Sequence, residues 1–148
     1  MHFLVATDGS PESDQALRHA IDVADAAGAD LTVLHVVTPR VYSEGVEPIR
    51  SLSDADRRLI LENVENAEER GESILEDATE VASESGLDVE TELLYGEPVE
   101  SIVDYADPDV HDGLFVGHRG LSERAESLLG SVANGLVRHA PIPVTVVR

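Results

Sequence analysis

The residues best placed to hold an anion are Gly117-His118-Arg119-Gly120, followed after nine intervening residues by Gly130-Ser131. They come just after a short apolar run, Gly113-Leu114-Phe115-Val116, and just before an amphipathic segment, Val132 to His139. The pattern reads as strand, glycine loop, helix. Glycines at both ends of the loop let backbone N–H groups approach a ligand without a Cβ in the way. A helix beginning at Ser131 adds unpaired amides and the positive end of its dipole, which suits phosphate. Ser131 serves equally as N-cap or as phosphate contact, because the same amides are involved. The loop taken alone also reads as a helix entry that needed flexible residues.

A second candidate turn, Thr7-Asp8-Gly9-Ser10, follows the first apolar run. Asp8 there reads, from its residue type, as a turn former or a cap for the next helix. His118 and Arg119 offer charge-assisted bonds to phosphate, Arg119 being the better candidate, or else lie solvated on a surface loop. Arg124 reads best as a partner of Glu123 or Glu126. His2, His19, His35, His111 and His139 show no ligand spacing and read as structural.

Composition narrows the chemistry. All ten basic residues are arginine, so a Walker-type P-loop and Schiff-base catalysis are both excluded. With no cysteine there are no disulfides, thiolate metal sites or thiol nucleophiles. The 30 acidic residues give a formal net charge of -20. Salt screens such self-repulsion over about 10 Å at 0.1 M and about 3 Å at 1 M, which points to a salt-accumulating halophile. A protein this acidic is poorly suited to nucleic acid, whose phosphates need clustered cations. Residues 53–112 carry 20 of the acids, whereas residues 113–148 hold 2 acids and 4 arginines. The glycine loop therefore lies in the one segment that is not acidic, either as relief for a bound anion or because that segment is buried. No apolar run reaches the length of a membrane span, and the N-terminus lacks a signal-peptide pattern, so a cytoplasmic protein is expected.

The elements that must position these residues alternate between strand and helix. Strands are expected at Phe3–Thr7, Leu31–Val37, Val89–Tyr95, 113–116 and Val144–Val147. Helices are expected from Ser10-Pro11 to Gly28, from Ser53-Asp54 toward Ser85-Gly86, over Val99–Ala106, and over the segment ending at His139. Residues 38–52 form a long connection. Strands separated by helices predict one α/β domain over residues 1–148, a three-layer sandwich with a five-stranded parallel sheet. In such sheets ligands sit beyond the carboxyl ends of the strands where strand order reverses. The turns after the first and fourth strands are expected to converge there.

Gly117-x2-Gly120-x9-Gly130-Ser131 resembles the nucleotide-binding signature of the universal stress protein family, in its ATP-binding branch. The opening Val5-Ala6-Thr7-Asp8-Gly9-Ser10 and the ending, Gly130 to Ala133 and Ala140 to Arg148, resemble the same family. The likeness spans the whole chain and implies a Rossmann-like, adenine nucleotide α-hydrolase-like fold. It further implies an ATP laid across the two loops, with Mg2+. Adenine would lie near Ala6, Thr7 and Val36, with Asp8 on the nucleoside or, through metal, on the phosphates. Val116, Gly117, Arg119 and Gly120 would line the ribose and phosphates, and Gly130, Ser131, Val132 and Ala133 would meet the phosphates. The resemblance also implies a homodimer formed through Val144–Val147, and a nucleotide-dependent switch; the alternatives are a slow ATPase or phosphotransfer enzyme at the same site, or a dimeric scaffold that binds no nucleotide.

Overall fold

The computed structural model describes residues 1–38, 54–119 and 129–148, with side chains from residue 64 onward in the long helix. The connection expected at 38–52 therefore falls almost entirely outside the described residues, as do Gly120 and the Arg124 pairing. Five strands, β1 (His2–Ala6), β2 (Asp30–Val37), β3 (Glu90–Tyr95), β4 (Gly113–Gly117) and β5 (Val144–Val147), alternate with four helices. These are α1 (Pro11–Ala27), α2 (Asp54–Glu84), α3 (Pro98–Tyr105) and α4 (Ser131–His139). The sheet order is β3-β2-β1-β4-β5 and every pairing is parallel. The expected α/β fold with a five-stranded parallel sheet is present. Strand order reverses between β1 and β4, which places the carboxyl ends of those neighbours at the switch point.

Alternating side chains divide the core into two layers. Val5, Leu31, Val33 and Phe115 face α1 and α2, packing with Leu17, Ile21, Leu75 and Ala82. Leu4, Leu34, Leu114 and Val116 face α3 and α4, packing with Ile102, Ala133 and Leu136. Each fully buried Leu or Val contributes about 1.5–3 kcal/mol relative to exposure. The central strands are apolar on both faces because helices cover both faces. The edge strand β3 differs. It starts at Glu90, one residue after the expected Val89, and Glu90, Thr91 and Glu92 are exposed.

Helix starts and stops follow local chemistry. Ser10 is the N-cap of α1, with its side chain accepting from the Ser13 N–H, and Pro11 occupies the first turn. Gly28 closes α1 in the left-handed region (φ 64) and donates to the carbonyls of Ala24 and Asp25. The side chain of Glu97 caps α3 by accepting from Val99 and Glu100. The cap of α4 is Gly130, with no side-chain bond, and Ser131 is the first residue of the helix. Ser131 is thus not the N-cap expected from its residue type; the chain enters the helix one residue earlier, in extended geometry at Gly130.

Candidate functional site

The turn after β1 is held by its own side chains. The Asp8 carboxylate accepts from the Ser10 N–H at 2.9 Å. Ser13 Oγ lies 3.0 Å from Thr7 Oγ1 and donates to the Ser10 carbonyl at 3.0 Å. The Asp8 N–H reaches Ser13 Oγ at 3.3 Å. Thr7, Ser10 and Ser13 are all buried, so this network satisfies groups that would otherwise be costly to desolvate. Asp8 does act as a turn former, as its residue type allowed, and it also lies in the wall of the cavity described below.

The segment after β4 is built differently. Gly117 is not a flexible loop residue; it is the last residue of β4, in register with Val147. A Cβ at Gly117 would stand 2.8 Å from the carbonyl carbon and oxygen of Glu12 and 3.0 Å from the Ser13 nitrogen. Glycine is required there because the first turn of α1 packs directly on the strand end. His118 then donates its N–H to the Val147 carbonyl at 2.9 Å, and its own carbonyl accepts from the Gly130 N–H at 2.6 Å. The Gly130 amide, expected to serve a phosphate, is therefore used within the chain. It brings the start of α4 back beside the end of β4.

Between these two segments lies a cavity of about 210 Å³. From β1 and its turn come Ala6, Thr7 and Asp8; from β2 comes Val36. Val116, Gly117 and Arg119 enter from β4 and its exit, and Gly130, Val132 and Ala133 from the start of α4. These residues, all named from sequence, line the same cavity. Ser131 is exposed and is not among the residues lining the cavity, and Gly120 lies outside the described residues.

Sequence reasoning missed Ser13, Leu34, His35, Thr38, Pro98 and Ile102, which complete the lining. Leu34 and Ile102 are core residues whose surfaces happen to face the hollow. Thr38 donates to the Gly96 carbonyl at 3.0 Å, tying the end of β2 to the turn before α3. His35 Nδ1 lies 2.8 Å from the Thr7 carbonyl. A polar residue inside an apolar strand was a signal for His35; no local signal marked the others.

The lining is mostly apolar, with a few polar groups, which is the usual composition of a small-molecule site. Its charged side chains among the described residues are Asp8 and Arg119. The start of α4 adds a positive dipole end beside Arg119. A second hollow, of about 350 Å³, lies between α1 and α2 and shares Thr7 with the first. Its charged lining residues are Asp14 and Asp77, the wrong sign for an anion. No group of three or more potential metal-ligating side chains occurs among the described residues.

Over residues 1–148 the chain matches the model of the universal stress protein family. It is 34% identical over 145 residues to universal stress protein YxiE of Bacillus subtilis, covering 98% of this chain and 97% of that protein. Among solved structures, universal stress protein UspA from Lactobacillus plantarum superposes with a TM-score of 0.84 at 25% identity, over 100% of this chain and 97% of that one. A universal stress protein crystallised in complex with cAMP gives a TM-score of 0.70 at 29% identity, over 100% and 97% of the two chains. A sheet of this order, a cavity at its switch point and likeness along the full length agree: the chain belongs to the universal stress protein family.

Proposed function

We propose that the cavity between β1 and β4 binds an adenine nucleotide, ATP with Mg2+, and that occupancy switches the protein's association with partners in the stress response. The observation that carries this reading is the composition of the lining: an apolar floor (Ala6, Val36, Val116, Ala133) in the same cavity as Arg119, Asp8 and the start of α4. A base buries its faces against such a floor, while phosphate charge meets a guanidinium and a helix dipole. The family relative in complex with cAMP supports the same ligand class. Residues 1–148 act as one unit in this reading. Asp8 is the carboxylate in the described lining that would meet a phosphate-bound Mg2+.

Switching rather than turnover is favoured because the chain has no lysine to stabilise a leaving phosphate. The host we propose is a salt-accumulating halophile, with the protein in its cytoplasm; no helix among the described residues is long and apolar enough to cross a membrane. The dimer contact we propose is β5. It is the sheet edge opposite β3, and its residues other than Thr145 are half-buried valines, whereas β3 is guarded by exposed Glu90 and Glu92.

Calorimetric titration at high salt with ATP, AMP and cAMP, each with and without Mg2+, tests the site. Binding in the micromolar to millimolar range that is lost in Ala6→Phe, which fills the base end, is the expected result. No heat and no change in melting temperature at millimolar nucleotide would overturn it. Sedimentation in the same buffer tests the edge: a monomer at every concentration would remove the dimer from the proposal.

A further inference from the structure

We infer that His118 is a positioning residue that holds the Arg119 guanidinium at the cavity by tying it to the edge strand β5. The inference rests on the nucleotide reading above and deepens it. His118 makes contacts in three directions. Its main-chain N–H donates to the Val147 carbonyl at 2.9 Å, and its carbonyl accepts from Gly130 at 2.6 Å. Its ring Nδ1 lies 3.3 Å from the same Val147 oxygen. At Nε2 it accepts from Arg119 Nε at 3.0 Å.

These contacts fix the tautomer. A carbonyl only accepts, so Nδ1 carries the hydrogen, which leaves the Nε2 lone pair for Arg119. Nε is the guanidinium N–H nearest the flexible stem, and holding it sets the plane of the whole group. Arg119 lines the cavity beside Gly117 and Gly130. A long side chain ordered before the ligand arrives loses less freedom on binding, which raises affinity without any new contact. The benefit should reach only ligands that carry phosphate, because Arg119 is the group being positioned.

AMP and adenosine are therefore the discriminating probes, titrated at fixed high salt against wild type, His118→Phe and His118→Gln. Phenylalanine keeps the ring and loses both nitrogens; glutamine restores an acceptor near Nε2. In His118→Phe the AMP affinity should fall roughly three- to tenfold, the range of one hydrogen bond. Adenosine affinity should stay unchanged, and His118→Gln should recover most of the loss. In an Arg119→Gln background the His118→Phe change should have no further effect on AMP. Equal losses for AMP and adenosine, or no loss for AMP, would overturn the positioning role.

Ring 15N spectra of the ligand-free protein separate this inference from the nucleotide reading. They should show a protonated Nδ1 and an Nε2 that shifts in Arg119→Gln; a protonated Nε2 would overturn the inference whatever binds. If wild type binds neither probe, the nucleotide reading fails and inorganic phosphate becomes the probe. A phosphate-induced shift of the Arg119 Nε–H seen in wild type and lost in His118→Phe then supports the positioning, and its absence in wild type overturns it.

Discussion

Two helices begin at the carboxyl end of the same sheet, and they begin in opposite ways. The start of α1 is closed: the Ser10 side chain accepts from Ser13, and Asp8 and Thr7 join the same buried network. The start of α4 has a glycine cap and no side-chain bond to it. Both first turns reach the cavity, α1 through Ser13 and α4 through Val132 and Ala133, but only α1 closes its turn with a side-chain cap. The difference is one of residue type at a single position, serine against glycine, at the two turns that meet at the switch point. A side-chain cap on one side and a glycine cap on the other thus frame the same cavity.

The largest effect should appear in amide exchange. With AMP at 100 times its dissociation constant, linkage provides about 2.7 kcal/mol, close to a hundredfold slowing for openings that release the ligand. That slowing should be found at Val132 and Ala133, with much less at Asp14, whose N–H donates to the Ser10 carbonyl and which is not among the residues lining the cavity. Equal protection at both helix starts would erase the distinction drawn between them.

Next in size is Gly117→Ala. The added methyl meets the Glu12 carbonyl at 2.8 Å, so α1 must shift, at a cost of about 1–3 kcal/mol in urea unfolding. An unchanged urea midpoint would mean that the first turn of α1 is less firmly seated than its packing suggests. Ser10→Ala should cost about 1 kcal/mol, or roughly 2–4 °C in melting temperature, while AMP affinity stays within about twofold. A large loss of affinity in that variant would show that the closed turn also serves the ligand.

A smaller, pH-dependent effect is expected far from both starts, at the amino end of the sheet. His111 is buried, its Nδ1 accepts from the Asp107 N–H at 3.0 Å, and its ring meets that of His2 at 4.9 Å between centroids. Burial, and then the neighbouring His2, hold its pKa below the ordinary value against the opposing pull of Asp107 and Asp112. The unfolded chain therefore takes up a proton near pH 6.5 that the folded chain resists, so stability is full above that pH and declines as pH falls below it. His111→Asn keeps an acceptor for Asp107 but does not titrate. The urea midpoint of wild type should fall faster than that of the variant between pH 7 and 5.5, and parallel profiles would refute the assignment. The smallest effect belongs to Arg18→Ala, which removes an exposed pair with Asp14 on α1 and should cost less than about 0.5 kcal/mol.

Much of the fold was legible because its signals are local. Ser10-Pro11 before an apolar stripe and Gly28 after it bound α1 to within a residue, and caps of this kind act through neighbours in the chain. Runs such as Leu31–Val37 announced strands covered on both faces. β3 was less well read: it starts one residue after the expected Val89, and sequence alternation does not say which strand ends up at an edge. Around the cavity, Asp8, Arg119 and Gly130 were found through residue type and spacing, whereas Pro98 and Ile102 were not. Those two are contributed by a helix packed over the sheet, and nothing within α3 itself records what it covers.

By itself, then, the sequence determined the alternation of strands and helices, the caps of α1 and the polar groups offered at the two turns, since each depends on residues within a few positions of one another. The tertiary structure decided what those residues do. It made Gly117 a packing necessity under Glu12, turned the Gly130 amide inward to His118, and set His118 between β5 and Arg119. The physical reason is distance along the chain: His118 and Val147 are 29 residues apart, and only the pairing of β4 with β5 brings them within a hydrogen bond.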